Sequence, residues 1–106
     1  MALLIGFDSE EDITIEGFDL PLTAQIVAHF RFDRDGALLA KLSTTDGTIE
    51  VVAPDRIRLK FPAAMTAKLP TSQISFDCMR VDGTPEFLGF EGTVQFHKTY
   101  VKPGEL

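Results

Sequence analysis

The sequence predicts an all-β fold, an antiparallel β-sandwich of about seven strands with one short helical crossover turn. Three observations lead there. Apolar and polar residues alternate in short runs spaced about ten residues apart. Asp-Gly pairs fall between those runs at Asp35-Gly36, Asp46-Gly47 and Asp82-Gly83, and such pairs are strong hairpin signals because Gly accepts positive φ and Asp bonds its own backbone. A single stretch, residues 62–70, favours helix.

The elements follow from the turns. Near the N-terminus, residues 2–7 and 12–20 read as two strands, or as a strand and an arm. The run 24–32 places Ala24, Ile26, Ala28, Phe30 and Phe32 on one face, with Gln25, His29 and Arg31 opposite. After Asp33-Arg34-Asp35-Gly36, residues 37–44 form a return strand. Residues 48–52 make a short strand that Pro54-Asp55 breaks. Residues 56–61 then alternate cleanly, with Ile57, Leu59 and Phe61 inward and Arg56, Arg58 and Lys60 outward. Pro62 opens a helical turn rich in Ala, and Pro70 closes it. The last pair of runs, 74–96, reads as a hairpin about the turn 81–85. Ile74, Phe76 and Cys78 face inward on its first strand, and Leu88, Phe90, Val94 and Phe96 on its second. Gly89 and Gly92 interrupt that second strand, which marks a bulge or a close backbone approach. A small barrel is the second-ranked architecture.

Length and charge narrow the function. A chain of 106 residues is expected to form one domain, 1–106, with residues 1–20 as an acidic N-terminal arm or edge strand. The net charge is −6, and the first thirty residues carry six carboxylates and no Lys or Arg. Nucleic acid binding needs a basic footprint, so direct contact with nucleic acid is not expected. No run approaches the length of a membrane span, and the start lacks the basic region of a signal peptide, which points to synthesis in a cytoplasm. The single Cys excludes an intramolecular disulfide framework and any multi-Cys metal site.

Catalytic signals are sparse. His29 and His97 each stand alone on a β run, and Cys78 alternates with core positions. The Asp33 to Gly36 stretch resembles the opening of a calcium loop. It is read as a turn, because position 42 is Leu and the flanks are strands. Glu10-Glu11-Asp12 is read as a solvated run. No cofactor or metal site is expected.

One part of the chain carries a family likeness. The motifs are Thr66 to Pro70 (TAKLP), Phe76-Asp77, the turn Val81 to Thr84 (VDGT) and Leu88 to Val94 (LGFEGTV). Together with the hairpin around residues 29–43, they resemble a family of small proteins encoded in bacteriophage structural regions. The family more often has Tyr before that Asp, and Gly after the Leu-Pro, where this chain has Phe76 and Thr71. The resemblance implies an immunoglobulin-like sandwich and a non-enzymatic virion role of the tail or baseplate type. Other virion or tail proteins would be its partners, and homo-oligomers are expected. The protein would reside in the host cytoplasm during assembly and then in the virion. The residues expected to meet a partner are Leu3, Leu4, Ile5, Phe7, Glu10, Glu11, Asp12 and Phe18. The alternative is a sandwich that binds a small ligand or carbohydrate on a concave, polar-aromatic surface beside Tyr100, His97 or His29.

Overall fold

The computed structural model describes residues 2–71 and 73–105. Its strands are β1 (Ala2–Leu4), β2 (Ser9–Thr14), β3 (Ile26–Arg31), β4 (Ala40–Ser43), β5 (Ile49–Ala53), β6 (Arg56–Phe61), β7 (Gln73–Arg80) and β8 (Glu86–His97). A four-residue helix, α1 (Ala63–Thr66), crosses between the sheets after β6. A large sheet runs in the order β1-β8-β7-β3-β4, and a small sheet in the order β2-β6-β5. The result is an all-β, immunoglobulin-like sandwich: the second, fifth and sixth strands form one sheet, and the third, seventh and eighth form the centre of the other.

Alternation explains the core. Ile26, Ala28 and Phe30 from β3, Ile57, Leu59 and Phe61 from β6, and Ile74, Phe76 and Cys78 from β7 are all buried. Period-2 side chains put every second residue on the inner face. Aromatic rings then link the two sheets. Phe30 stacks on Phe76 at 4.6 Å between centroids, and meets Phe61 of the small sheet edge-on at 5.7 Å. Phe61 also meets Phe96 at 6.4 Å. With no disulfide available, this apolar contact joins the layers, and each fully buried Phe contributes about 1.5–3 kcal/mol.

The second strand of the last hairpin is irregular where its glycines fall. Asp77 pairs with Glu91 but Met79 pairs with Phe87, so Leu88, Gly89 and Phe90 stand opposite Cys78 alone. Gly89 sits in that bulge at φ +74°, a conformation that favours glycine.

Five expectations need correction. Phe32 is 51% exposed, because β3 ends at Arg31 and the chain turns outward there. Arg31 Nη1 donates to Gly36 O (2.7 Å) and the Asp35 N–H donates to Asp33 Oδ1 (3.0 Å), which locks that turn. The return strand begins at Ala40, leaving Leu38 exposed. Asp46-Gly47 does not close a hairpin, since β4 and β5 belong to different sheets. The Ser43 N–H donates to Thr48 Oγ1 (2.8 Å), and the Thr48 N–H to Asp46 Oδ1 (2.9 Å), so the turn becomes a corner between layers. Pro54-Asp55 does end β5 and is the tight connection of the β5–β6 hairpin, while the second N-terminal strand covers Ser9–Thr14 rather than 12–20. Finally, β1 runs parallel to β8, pairing Ala2–Leu4 with Gln95–His97, in a sandwich expected to be antiparallel throughout.

Candidate functional site

The acidic N-terminal run is a strand. Glu10 pairs with Lys60 and Asp12 with Arg58 across β2 and β6. Arg58 Nε lies 2.8 Å from Asp12 Oδ1, and Arg58 Nη2 lies 3.3 Å from Asp12 Oδ2, a two-point contact. Glu10 Oε2 lies 3.8 Å from Arg58 Nε, and Lys60 Nζ lies 3.2 Å from Glu50 Oε2. The hydrogen bond from Arg58 holds the Asp12 carboxyl below its ordinary range, with the nearby Arg58 and Arg56 charges adding to it against some desolvation. The outer face of the small sheet is thus a ladder of opposite charges. Exposed pairs of this kind contribute little to stability, and their main effect is to set cross-strand register.

The other N-terminal residues expected at a partner surface are divided. Leu3 is buried in the core, and Ile5 and Phe18 pack against it. Phe7 is half-buried, Leu4 is exposed, and Glu11 is half-buried on the inner side of β2. The chain between β1 and β2 is tied to α1. The Gly6 N–H donates to Thr66 Oγ1 (3.0 Å), and the Ala63 N–H donates to Asp8 Oδ1 (2.7 Å), so a distant carboxylate caps the short helix.

Two open depressions mark the surface. The first is an open depression on the outer face of the large sheet. His29 from β3 and Ser75 and Asp77 from β7 line it, with Phe32 beside them. Arg34, in the loop after β3, reaches across β7 to form an ion pair with Glu91 of β8. Burial lowers the His29 pKa from its ordinary value, and Lys41 and Arg31 push the same way against Asp77. His29 therefore stands in the depression as a neutral imidazole at physiological pH. His97, paired with Leu4, and Tyr100, beyond the end of β8, do not line this surface.

The second is the side of the sandwich where β2 and β8 approach. Asp12, Ile13 and Thr14 face Phe76, Phe90, Gly92 and Thr93 across a crevice of about 410 Å3. The opposite side, between β4 and β5, is closed by the Ser43–Thr48 corner. Sequence reasoning missed this asymmetry, because a local run carries no signal of which edge lacks a neighbour. The Arg34–Glu91 pair was equally hidden, its members lying far apart in the chain.

Reactive groups are held back. Cys78 is fully buried and burial pushes its thiol up to about 12, with Asp77 adding to the effect. A thiolate at neutral pH is therefore scarce. Among the described residues, no group of three His, Cys, Asp or Glu side chains could hold a metal ion. No helix among them is long and apolar enough to cross a membrane. No protein-family model matches the chain, and no curated protein matches it.

Proposed function

We propose that this chain is a non-enzymatic protein–protein interaction module of bacteriophage particles, a virion structural or accessory component of the tail or baseplate type. The observation that carries the reading is the open side of the sandwich. Among the described residues, β2 has no strand neighbour beyond it, and β8 is paired on that side only at Gln95–His97. Unpaired strand edges are templates for pairing with another chain. The run from TAKLP to LGFEGTV, with its likeness to phage structural-region proteins, supplies the biological setting. The protein acts in the host cytoplasm during assembly and then in the particle, beside other virion proteins or further copies of itself.

The test is co-sedimentation. Particles released from a host carrying the gene are purified on a density gradient and probed for this protein. A fixed amount per particle across the peak is expected. Recovery solely in the soluble fraction, with no assembly intermediate containing it, overturns the reading.

A second reading is supported by the depression around His29 and Phe32: recognition of a small ligand or carbohydrate. An exposed ring beside hydroxyl and carboxylate groups suits a sugar, whose apolar face stacks on the ring. Titration of labelled protein with mono- and disaccharides should shift amide signals of residues 29–35 and 75–77. Absence of a saturable shift at any of them sinks it.

A further inference from the structure

The open seam between β2 and β8 has a definite chemistry. Its upper end is closed by Phe18, whose ring lies 4.0 Å from the position of a Cβ on Gly89. Its lower end is closed by β1, paired with Gln95–His97. Between these limits, Asp12, Ile13 and Thr14 face Phe90, Gly92 and Thr93 across one crevice, and neither Ser9–Thr14 nor residues 90–94 contain Lys or Arg. Along the β2 rim of the seam stand Glu10, Glu11 and Asp12, while Glu91 lines the His29 depression on the outer face of the large sheet. Arg58 holds Asp12 and lies 3.8 Å from Glu10, whereas Glu11 has no ion-pair partner among the described residues.

The free backbone groups of β2 can be identified. The Ile15 N–H donates to Asp55 O (2.6 Å) on the β6 side of the strand. N–H groups alternate along a strand, so those of Glu10, Asp12 and Thr14 point to the open side. The side chains at Glu10 and Asp12 lie on the outer, wet face. Ile13 lies on the inner face, where the crevice reaches Phe90 and Phe76.

Resting on the interaction-module reading, we infer that this seam receives an extended segment of a partner protein, added as a strand to β2, in which basic and apolar residues alternate. Its basic side chains stand beside Glu10 and Asp12 on the outer face, at the cross-strand spacing of about 4.5–5.5 Å. Its apolar side chains enter the crevice over Ile13 and Phe90. The backbone of β2 supplies the hydrogen bonds, and the alternation supplies the selectivity. An acidic segment is refused by like charge. A second copy of β2 is refused for the same reason, because two acidic strands would lie side by side.

The probe is a capped heptapeptide of alternating lysine and valine, titrated into the full-length isotope-labelled protein and followed by amide shifts. Saturable shifts are expected at residues 10–14 and 90–93, and the matching glutamate–valine peptide should bind at least tenfold more weakly. Glu10→Gln should weaken binding several-fold. Glu10→Pro, which also removes a free N–H while leaving the β6 side intact, should abolish it. Folding of both variants is checked by their remaining amide spectrum, and Glu10→Gln decides alone if Glu10→Pro unfolds. Equal binding of the two peptides, no saturable shift, or shifts confined to the His29 depression would each overturn the inference. If the peptide fails while the protein still co-sediments with particles, the seam is wrong and the module reading stands. If co-sedimentation fails, the module reading falls whatever the peptide does.

Discussion

The ring of Phe76 occupies the space that a side chain at position 92 would need. A Cβ added to Gly92 would lie 2.8 Å from Phe76 Cε1 and 2.9 Å from Phe90 Cε1. Both rings belong to the aromatic chain that runs through Phe30 to the small sheet. Gly92→Val must therefore displace Phe76 or distort β8. Overpacking of this kind costs on the order of 1–3 kcal/mol. Urea denaturation should show a lower midpoint at unchanged slope, and an unchanged midpoint would contradict the packing described.

Thr66 connects the N-terminal strand to the crossover. Its buried hydroxyl accepts from the Gly6 N–H and lies 3.2 Å from Ala63 O, to which it can donate. Thr66→Val keeps the shape and leaves the Gly6 N–H without its partner. The expected loss is about 1–3 kcal/mol. Thr66→Ser retains the hydroxyl and should lose less. A larger loss in Thr66→Ser than in Thr66→Val would show that the methyl group, not the hydrogen bond, matters.

Removal of residues 1–17 should unfold the protein rather than alter its association alone. The deletion takes β1 and β2, and with them buried Leu3, Ile13 and Ile15. Losing a third of the small sheet's strands exposes Ile57 and Leu59 of β6. The truncated chain should lack cooperative thermal unfolding by circular dichroism. A sharp transition near that of the full chain would mean that β1 and β2 are dispensable.

Cys78 should resist modification. A thiol with its pKa pushed to about 12 inside the core offers little thiolate at pH 8. Ellman's reagent should react slowly with the native protein and fully in guanidinium chloride. Rapid stoichiometric reaction of the native protein would show that the core opens at β7.

Acid should destabilise the fold in two stages. The His29 pKa is lowered by burial, so the unfolded chain takes up that proton first as pH falls. Its contribution is complete above about pH 6.5 and is lost below it. The lowered carboxyls act at lower pH. Asp12 is held down by Arg58 and Asp82 by Arg80, while at Asp46 hydrogen bonds from Thr48 and Ser43 outweigh desolvation. Their contributions are present above the ordinary value of 3.8 and disappear as pH falls through the lower folded values. Denaturation midpoints at pH 8, 5 and 3 should fall in that order, and His29→Gln should remove the first step. A higher midpoint at pH 5 than at pH 8 would reverse the assignment for His29.

Much of the interior was legible in the chain alone. Alternation placed Ile26, Ala28 and Phe30, then Ile57, Leu59 and Phe61, then Ile74, Phe76 and Cys78 on buried faces, because the pleat is a local property with period two. Gly89 and Gly92 marked an irregular strand, since the missing side chain is itself visible in the sequence. The alternation did not extend to Phe32, where the strand had already ended.

Tertiary structure alone decided how those strands were assembled. Asp46-Gly47 looks like a hairpin turn, yet β5 joins β6 in the other sheet, where Ile49 and Val51 enter the core. The acidic run is a strand because its backbone pairs with β6 and its Ile13 enters the core, with Arg58 opposite Asp12. Among the described residues, the seam is open because β1 pairs with β8 only at Gln95–His97. Local composition specifies which face of a strand is apolar. Which neighbour it meets, and which edge meets none, depends on contacts between residues far apart in the chain.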